Sequence, residues 1–186
     1  MPFGAASDAL GSVCPLINRR CRPETTAASW REEDAHMAPG LSSNNEVEEN
    51  KATVRRMLER LSTGDIAGFT DALADNYVRH CQSMPPELQE IRGRDAMHQW
   101  LVSNQATFPD YCEELESLIG EGDFVAWRSR GVGTQRGALG PFPAKGKRMD
   151  IVIIGMHRFV AGLVVETWTS WDNLAALTQL GLLPGM

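Results

Sequence analysis

The stretch DIVIIGMHRF at 150–159, the break VAG at 160–162 and the stretch LVVETWTS at 163–170 decide how this chain is read. Ile151, Val152, Ile153 and Ile154 are β-branched and lead into Met156, His157, Arg158 and Phe159, a composition that suits a pleated, mostly buried surface. The break is too short for the crossover that parallel strands need, so the two runs form an antiparallel hairpin. Alternation puts Thr167, Thr169 and Trp171 on one face of the second run and Trp168 and Ser170 on the other. Asp172 follows, just before Leu174, Leu177 and Leu180, where it can cap a short terminal helix.

Upstream, the pattern is helical first and extended later. From Val47 through Val54, Met57, Leu58 and Leu61 apolar residues recur at helical spacing, and Ser62-Thr63-Gly64 ends that helix. Asp65 can cap a second, short helix carrying Ile66, Phe69 and Leu73. Residues 75–80 read as a short strand, followed by a polar loop with Pro85-Pro86. A third helix after Gly93 carries Met97, Trp100, Leu101 and Phe108 on one face and stops at Pro109. Strands over 111–119 and 124–132 complete a layout of helices followed by a meandering sheet, an α+β arrangement.

With 186 residues, 42% hydrophobic and 23% charged, the chain has enough material for one domain with a real core. Residues 1–45 are different: small and polar, with scattered Pro and Gly and no periodicity, they are expected to be a disordered extension. Met37, followed by Ala-Pro-Gly, is an alternative start. The domain is expected to span 46–186. A net charge of −6 argues against a nucleic-acid-binding surface, which needs a basic stripe to neutralise phosphates. No run approaches the length of a membrane helix, no secretory signal is evident, and the four cysteines show no scaffold pattern. A soluble, cytoplasmic protein without nucleic-acid or membrane partners is expected. No His/Cys/Asp cluster has metal-ligand spacing, so no metal is expected. The Gly-rich segment 133–148 misses the phosphate-loop spacing and reads as a mobile connection that could cover a cavity mouth.

Several motifs then occur in a characteristic order: Gly64-Asp65, Asp75-Asn76-Tyr77-Val78-x-His80, Gly93-Arg94-Asp95, Phe108-Pro109-Asp110, Gly122-Asp123-x-Val125-Ala126, Gly146-Lys147, Glu166-x-Trp168-x-x-Trp171-Asp172 and Gln179-Leu180-Gly181. Over roughly residues 46–183 the chain resembles the SnoaL-like polyketide cyclases, within the wider group that shares the nuclear-transport-factor-2-like (NTF2-like) fold. The resemblance implies a curved antiparallel sheet wrapped by three helices around a conical hydrophobic cavity, commonly as a homodimer. It also implies cofactor-free ring closure of a polyketide-like or terpenoid-like small molecule by intramolecular aldol chemistry.

Such chemistry needs a base beside a carbonyl and a donor for the oxyanion that forms. In the cyclases this chain resembles, an Asp on the last strand and a His on the strand before it act as the acid/base pair. Counting back from Gln179-Leu180-Gly181, those positions fall on Thr169 and Gly155, and neither can carry a proton. The alternatives are a different set of catalytic groups, or a non-catalytic binding or dimerisation module on the same fold. His80, which the resemblance places at the cavity end of the first strand, is the candidate base; otherwise it bonds a backbone carbonyl at a strand end. Thr169 is a possible hydrogen-bond donor. Tyr77, Trp100, Trp127, Ile153, Gly155, His157 and Trp171 are expected to line the ligand, although the aromatic residues also suit a plain core or dimer face. His157 shares the parity of Gly155, so it reaches the cavity or its rim, or else lies at a surface or interface. Asp150 and Glu166 are not expected to be the base. Neither Tyr77 nor Tyr111 comes with a matching acid in the sequence, so an isomerase of the tyrosine-plus-acid type is not expected.

Overall fold

The structure, a computed structural model, describes residues 43–183. Of the expected disordered extension, residues 1–42, with the alternative start at Met37, lie outside the described residues, whereas Ser43 caps the first helix and Asn44 and Asn45 belong to it. That helix, α1 (Asn44–Thr63), opens on a capping box: Ser43 Oγ accepts from the Glu46 amide and the Glu46 carboxylate accepts from the Ser43 amide. It closes on Gly64, whose φ of 79° ends the helix in the left-handed region. Val54, Met57 and Leu58 form its buried stripe.

Asp65 caps α2 (Ile66–Thr70) by accepting from the Gly68 amide at 2.9 Å. Then come β1 (Leu73–His80), a single 3-10 turn at Pro86–Leu88, β2 (Glu90–Arg92), α3 (Arg94–Thr107), β3 (Cys112–Glu121), β4 (Phe124–Thr134), β5 (Arg148–Val160), β6 (Leu163–Trp171) and α4 (Asn173–Leu180). Asp172 caps α4 through the Ala175 amide at 2.9 Å. The β5–β6 hairpin turns on Ala161 and Gly162, with φ of 50° and 77°. Two consecutive positive-φ residues match the twist of the flanking strands.

Six strands form one sheet in the order β2-β1-β6-β5-β4-β3. Two features depart from the sequence reading. The sheet is not antiparallel throughout, because β1 lies parallel to β6, with Arg79 opposite Thr167 and His80 opposite Trp168. The chain between them holds a helix and four strands, which leaves β1 free to approach β6 in either sense. The segment taken as a polar loop also contains β2, an edge strand whose Ile91 is buried against the core. Bulges at Leu115/Ser117 and Arg158/Phe159 interrupt the ladders where such irregularities bend and twist strands.

One face of the sheet is buried and the other half-open. On β5, Met149, Ile151, Ile153, Gly155, His157 and Phe159 point inward, while Val152 and Ile154 point out. The interior has an apolar cluster at each end. One unites α1, α2 and α3 with Tyr77, Val125, Trp127, Phe159 and Val164. The other joins Phe108, Met149, Ile151 and Ile153 with Ala176 and Leu180 of α4. The segment 135–147 is tied down rather than loose: Gln135 is fully buried, its amide and carbonyl bond Lys147 and Gly146, and its side chain reaches Pro143 and Lys145.

Candidate functional site

Strand pairing fixes which side chains share the interior. Arg79 on β1, Thr167 on β6, His157 on β5 and Val125 on β4 lie in one row across the inner face. The adjacent row is Thr169, Gly155 and Trp127. The next holds Trp171, Ile153 and Ser129. Tyr77 joins the same face one step before Arg79 on β1, and Trp100 of α3 reaches over that strand. The seven residues expected to line a ligand thus meet on the interior side of the sheet.

His157 is 3% exposed. Its Nδ1 lies 2.7 Å from Thr167 Oγ1, its ring stacks on Trp127 with centroids 4.2 Å apart, and Phe159 meets it edge-on. Burial pushes its pKa down from 6.5 to about 3, so the imidazole is neutral inside the folded protein. Tyr77 lies beside the same hydroxyl; burial lifts its phenol to about 12, with the Thr167 hydroxyl partly offsetting that rise. A surface or interface position for His157 is therefore not what the structure shows.

Gly155 owes its place to Trp127. A Cβ at position 155 would lie inside the contact envelope of the indole's six-membered ring. The family position expected to carry a histidine is thus occupied by an aromatic plane from the neighbouring strand. Thr169, its partner position, stays half-buried beside it.

Arg79 is the most unusual member of the interior. It is 3% exposed, its guanidinium lies 4.4 Å from the Trp100 ring centre and 5.9 Å from that of Trp171, and Nη1 is buried with no hydrogen-bond partner. Burial lowers its pKa, and the neighbours that counter this are Cys81 and Tyr77, neither a carboxylate.

A second buried polar group lies nearer the β3 edge. Glu113 accepts hydrogen bonds from the Tyr111 hydroxyl at 2.9 Å and the Ser129 hydroxyl at 2.5 Å, while its amide donates to Ser62 Oγ of α1. Burial raises its pKa, against the pull of Ser129, Tyr111 and Trp127. The Trp127 Nε1 nevertheless makes no hydrogen bond of good geometry. Tyr111 does come with an acid, contrary to the sequence reading, because residues two apart on an extended chain share a face. Its ring also borders a cavity of about 170 Å³ between α1, α2 and α3, lined by Leu61, Ser62, Ile66, Leu101 and Phe108.

His80 does not join this interior. Alternation from the inward Tyr77 and Arg79 turns it to the outer face, where Nε2 lies 2.9 Å from Glu166 Oε1, Nδ1 lies 3.8 Å from Glu90, and the ring stacks on Trp168 at 5.6 Å. Arg158 completes the cluster, 3.0 Å from Glu166. Burial works to raise the Glu166 pKa, but the bonds from His80 and Arg158 outweigh it and hold the carboxyl below its ordinary value. On the same face Arg128 pairs with Glu116 and Arg130 with Asp150. Among the described residues, no group of three or more His, Cys, Asp or Glu side chains is placed to hold a metal ion, and no helix is long and apolar enough to cross a membrane.

The profile of the SnoaL-like polyketide cyclases matches residues 51–180, which includes both hairpin strands, α2 to α4 and the later part of α1. The chain belongs to that family. Among solved structures, AclR of Streptomyces galilaeus, a candidate hydroxylase, is 26% identical with a TM-score of 0.65, covering 74% of this chain and 99% of its own. IdmH of Streptomyces antibioticus, a candidate polyketide cyclase, is 27% identical with a TM-score of 0.61, covering 71% and 98%. A SnoaL-like protein of Jannaschia, at 21% identity and a TM-score of 0.68 over 78% and 100%, shares the fold. No curated protein sequence matches the chain. Two solved structures of similar identity thus carry different activity names, and the interior groups must discriminate.

Arg79 and Glu113 were missed in the sequence reading. The signal for the first was parity: Tyr77 and His80 cannot both face inward on one regular strand, and choosing Tyr77 selects Arg79. The signal for the second was the Tyr111-x-Glu113 spacing.

Proposed function

We propose that this SnoaL-like protein is a cofactor-independent cyclase or isomerase acting by acid/base chemistry on a flat, hydrophobic polyketide-like or terpenoid-like molecule. The observation that carries this reading is the imidazole of His157, held neutral in an aromatic-walled interior with one nitrogen fixed by Thr167. In the tautomer this reading uses, Nδ1–H donates to Thr167 Oγ1 and Nε2 carries the lone pair that takes a proton. A base in dry surroundings takes a proton from the carbon beside a carbonyl, and the enolate formed next to it raises the imidazolium pKa, so the two charges stabilise each other. Thr169, one inner-face step away, supplies a hydroxyl donor for the oxyanion. In this reading the histidine of the reaction is His157 in place of His80.

Exchange of the methyl protons of 2-acetylnaphthalene in heavy water, followed by NMR, tests the chemistry without knowledge of the natural substrate. The wild type is expected to accelerate exchange, and His157→Gln to return it to the background rate. Equal rates for the two proteins would overturn the assignment. A second reading, a non-catalytic binding module, draws support from the Trp127 indole that fills the space over Gly155. It predicts binding of the probe with exchange at background.

We also propose that two copies pair through the outer sheet face. Ile154 is 59% exposed at its centre, and the ion pairs of Arg130 and Arg158 flank it. An exposed apolar strip bounded by charges fits a symmetric interface.

A further inference from the structure

A guanidinium buried without a counter-charge is costly, and replacing a buried ion by an apolar side chain of similar volume commonly leaves stability unchanged or improved. Arg79 is retained in that condition: nine-tenths or more buried, with Nη1 unpartnered, and with no carboxylate among the neighbours that act on it. Its guanidinium lies 4.4 Å from the Trp100 ring centre and 5.9 Å from that of Trp171, two rings on separate elements, and both indoles are half-buried. Aromatic faces stabilise a cation but leave its in-plane N–H donors free. An acceptor arriving in that plane would satisfy the donors, and a planar two-oxygen anion matches the guanidinium fork.

We propose that Arg79, with Trp100 and Trp171, is an anion-recognition site, and that the ligand of this protein is a flat apolar molecule bearing a planar two-oxygen anion, either a carboxylate or an ionised 1,3-dicarbonyl. This rests on the reading of the interior as a ligand site, and it narrows the substrate class. The geometry relates the anchor to the chemistry. Arg79 and His157 lie in one cross-sheet row with a single strand between them, so their backbones are about 10 Å apart at ordinary strand spacing. That is the span of one or two fused rings. A molecule held by its anion at Arg79 presents its next carbonyl near His157, with Thr167 and Thr169 lining the ground between. A neutral ligand gains nothing from Arg79 and leaves the donor unpaired, so it binds more weakly than the anion and occupies the site only at higher concentration.

Titration of the intact protein with 2-naphthoate and its neutral isostere 2-naphthamide, by calorimetry, tests the proposal. The wild type is expected to prefer the carboxylate at least tenfold. Arg79→Met, which keeps the length and loses the charge, is expected to abolish the preference while retaining its melting temperature. Arg79→Lys keeps the charge without the fork and is expected to retain part of the preference, so a poorly folded methionine variant does not remove the test. Benzoylacetone distinguishes the source of the anion: affinity that rises only as it ionises points to an enolate, and stronger binding of naphthoate points to a carboxylate. Equal binding of naphthoate and naphthamide by the wild type, or a preference that survives Arg79→Met, overturns the anion site and leaves the interior site standing. Saturable binding of neither probe overturns both.

Discussion

Replacing His157 by Phe should change the pH dependence of stability in a calculable way. The phenyl ring can keep the stack on Trp127, but it cannot titrate, and it forfeits the hydrogen bond to Thr167. In the wild type the folded-state pKa is depressed from 6.5 to about 3 by burial. Between those values the unfolded chain binds a proton that the folded chain refuses. The contribution is therefore fully present above the unfolded value and is lost as pH falls toward the folded one. Linkage puts that loss at about 2.5 kcal/mol between about pH 7 and about pH 4.5, from this group alone. For a domain of this size the loss corresponds to roughly 5–10 °C in Tm. The lost hydrogen bond lowers the stability of the variant by about 1 kcal/mol at neutral pH. The two stability curves should thus cross on acidification, with the variant the more stable protein at the acid end. Urea melts followed by far-UV circular dichroism over that pH range measure both curves. Parallel curves would show that the imidazole titrates freely, and the buried, neutral base would be lost with it.

Three further outcomes follow from contacts already described. Gly155→Ala forces its methyl group into the Trp127 ring and should cost about 1–3 kcal/mol, the usual range for overpacking; an unchanged Tm would mean that the indole swings away freely. His80→Ala removes the outer-face stack and the pair with Glu166, and is expected to leave both proton exchange and naphthoate binding as in the wild type. Loss of exchange in that variant would restore His80 as the base. Ile154→Glu places a charge at the centre of the outer strip, and light scattering should find monomers where the wild type forms pairs; a monomeric wild type would remove the interface.

The hairpin, the caps and the helical stripes were legible because each is a local rule. Ile151–Ile154 could be read as a strand without knowing its neighbours, and the inward parity of Thr167, Thr169 and Trp171 followed from period two. Asp65 and Asp172 illustrate the same point for helix ends: the cap residue and the amide it accepts from lie three positions apart. The parallel β1·β6 pair was not legible, because its partners are almost ninety residues apart and nothing in either strand states direction. β2 escaped because three residues carry no periodicity, and its formation depends on an edge of β1 that only the folded sheet supplies. The interior site fell between these cases. His157 was assigned the correct parity but not its depth, since burial depends on the strands on either side. Arg79 was hidden by a motif reading that placed Tyr77 and His80 on one face, which strand geometry forbids.

The two positions where the resemblance puts the acid/base pair, Thr169 and Gly155, have a physical relation to the groups proposed in their place. His157 and Thr167 lie on the same two strands, each two residues from the vacated position, and they face each other in register as Gly155 and Thr169 do. Two residues along a strand preserve the inward face and move a side chain by about 7 Å. The polar pair is therefore displaced by one inner-face row toward the end of the interior packed by α1, and Trp127 occupies the row it would have left. A shift of one row brings the imidazole level with Arg79, whereas a histidine at position 155 would be offset from it diagonally. The buried guanidinium, the aromatic plug and the displaced polar pair thus belong to one arrangement, and under the proposed function a ligand that reaches His157 does so alongside the positive charge of Arg79.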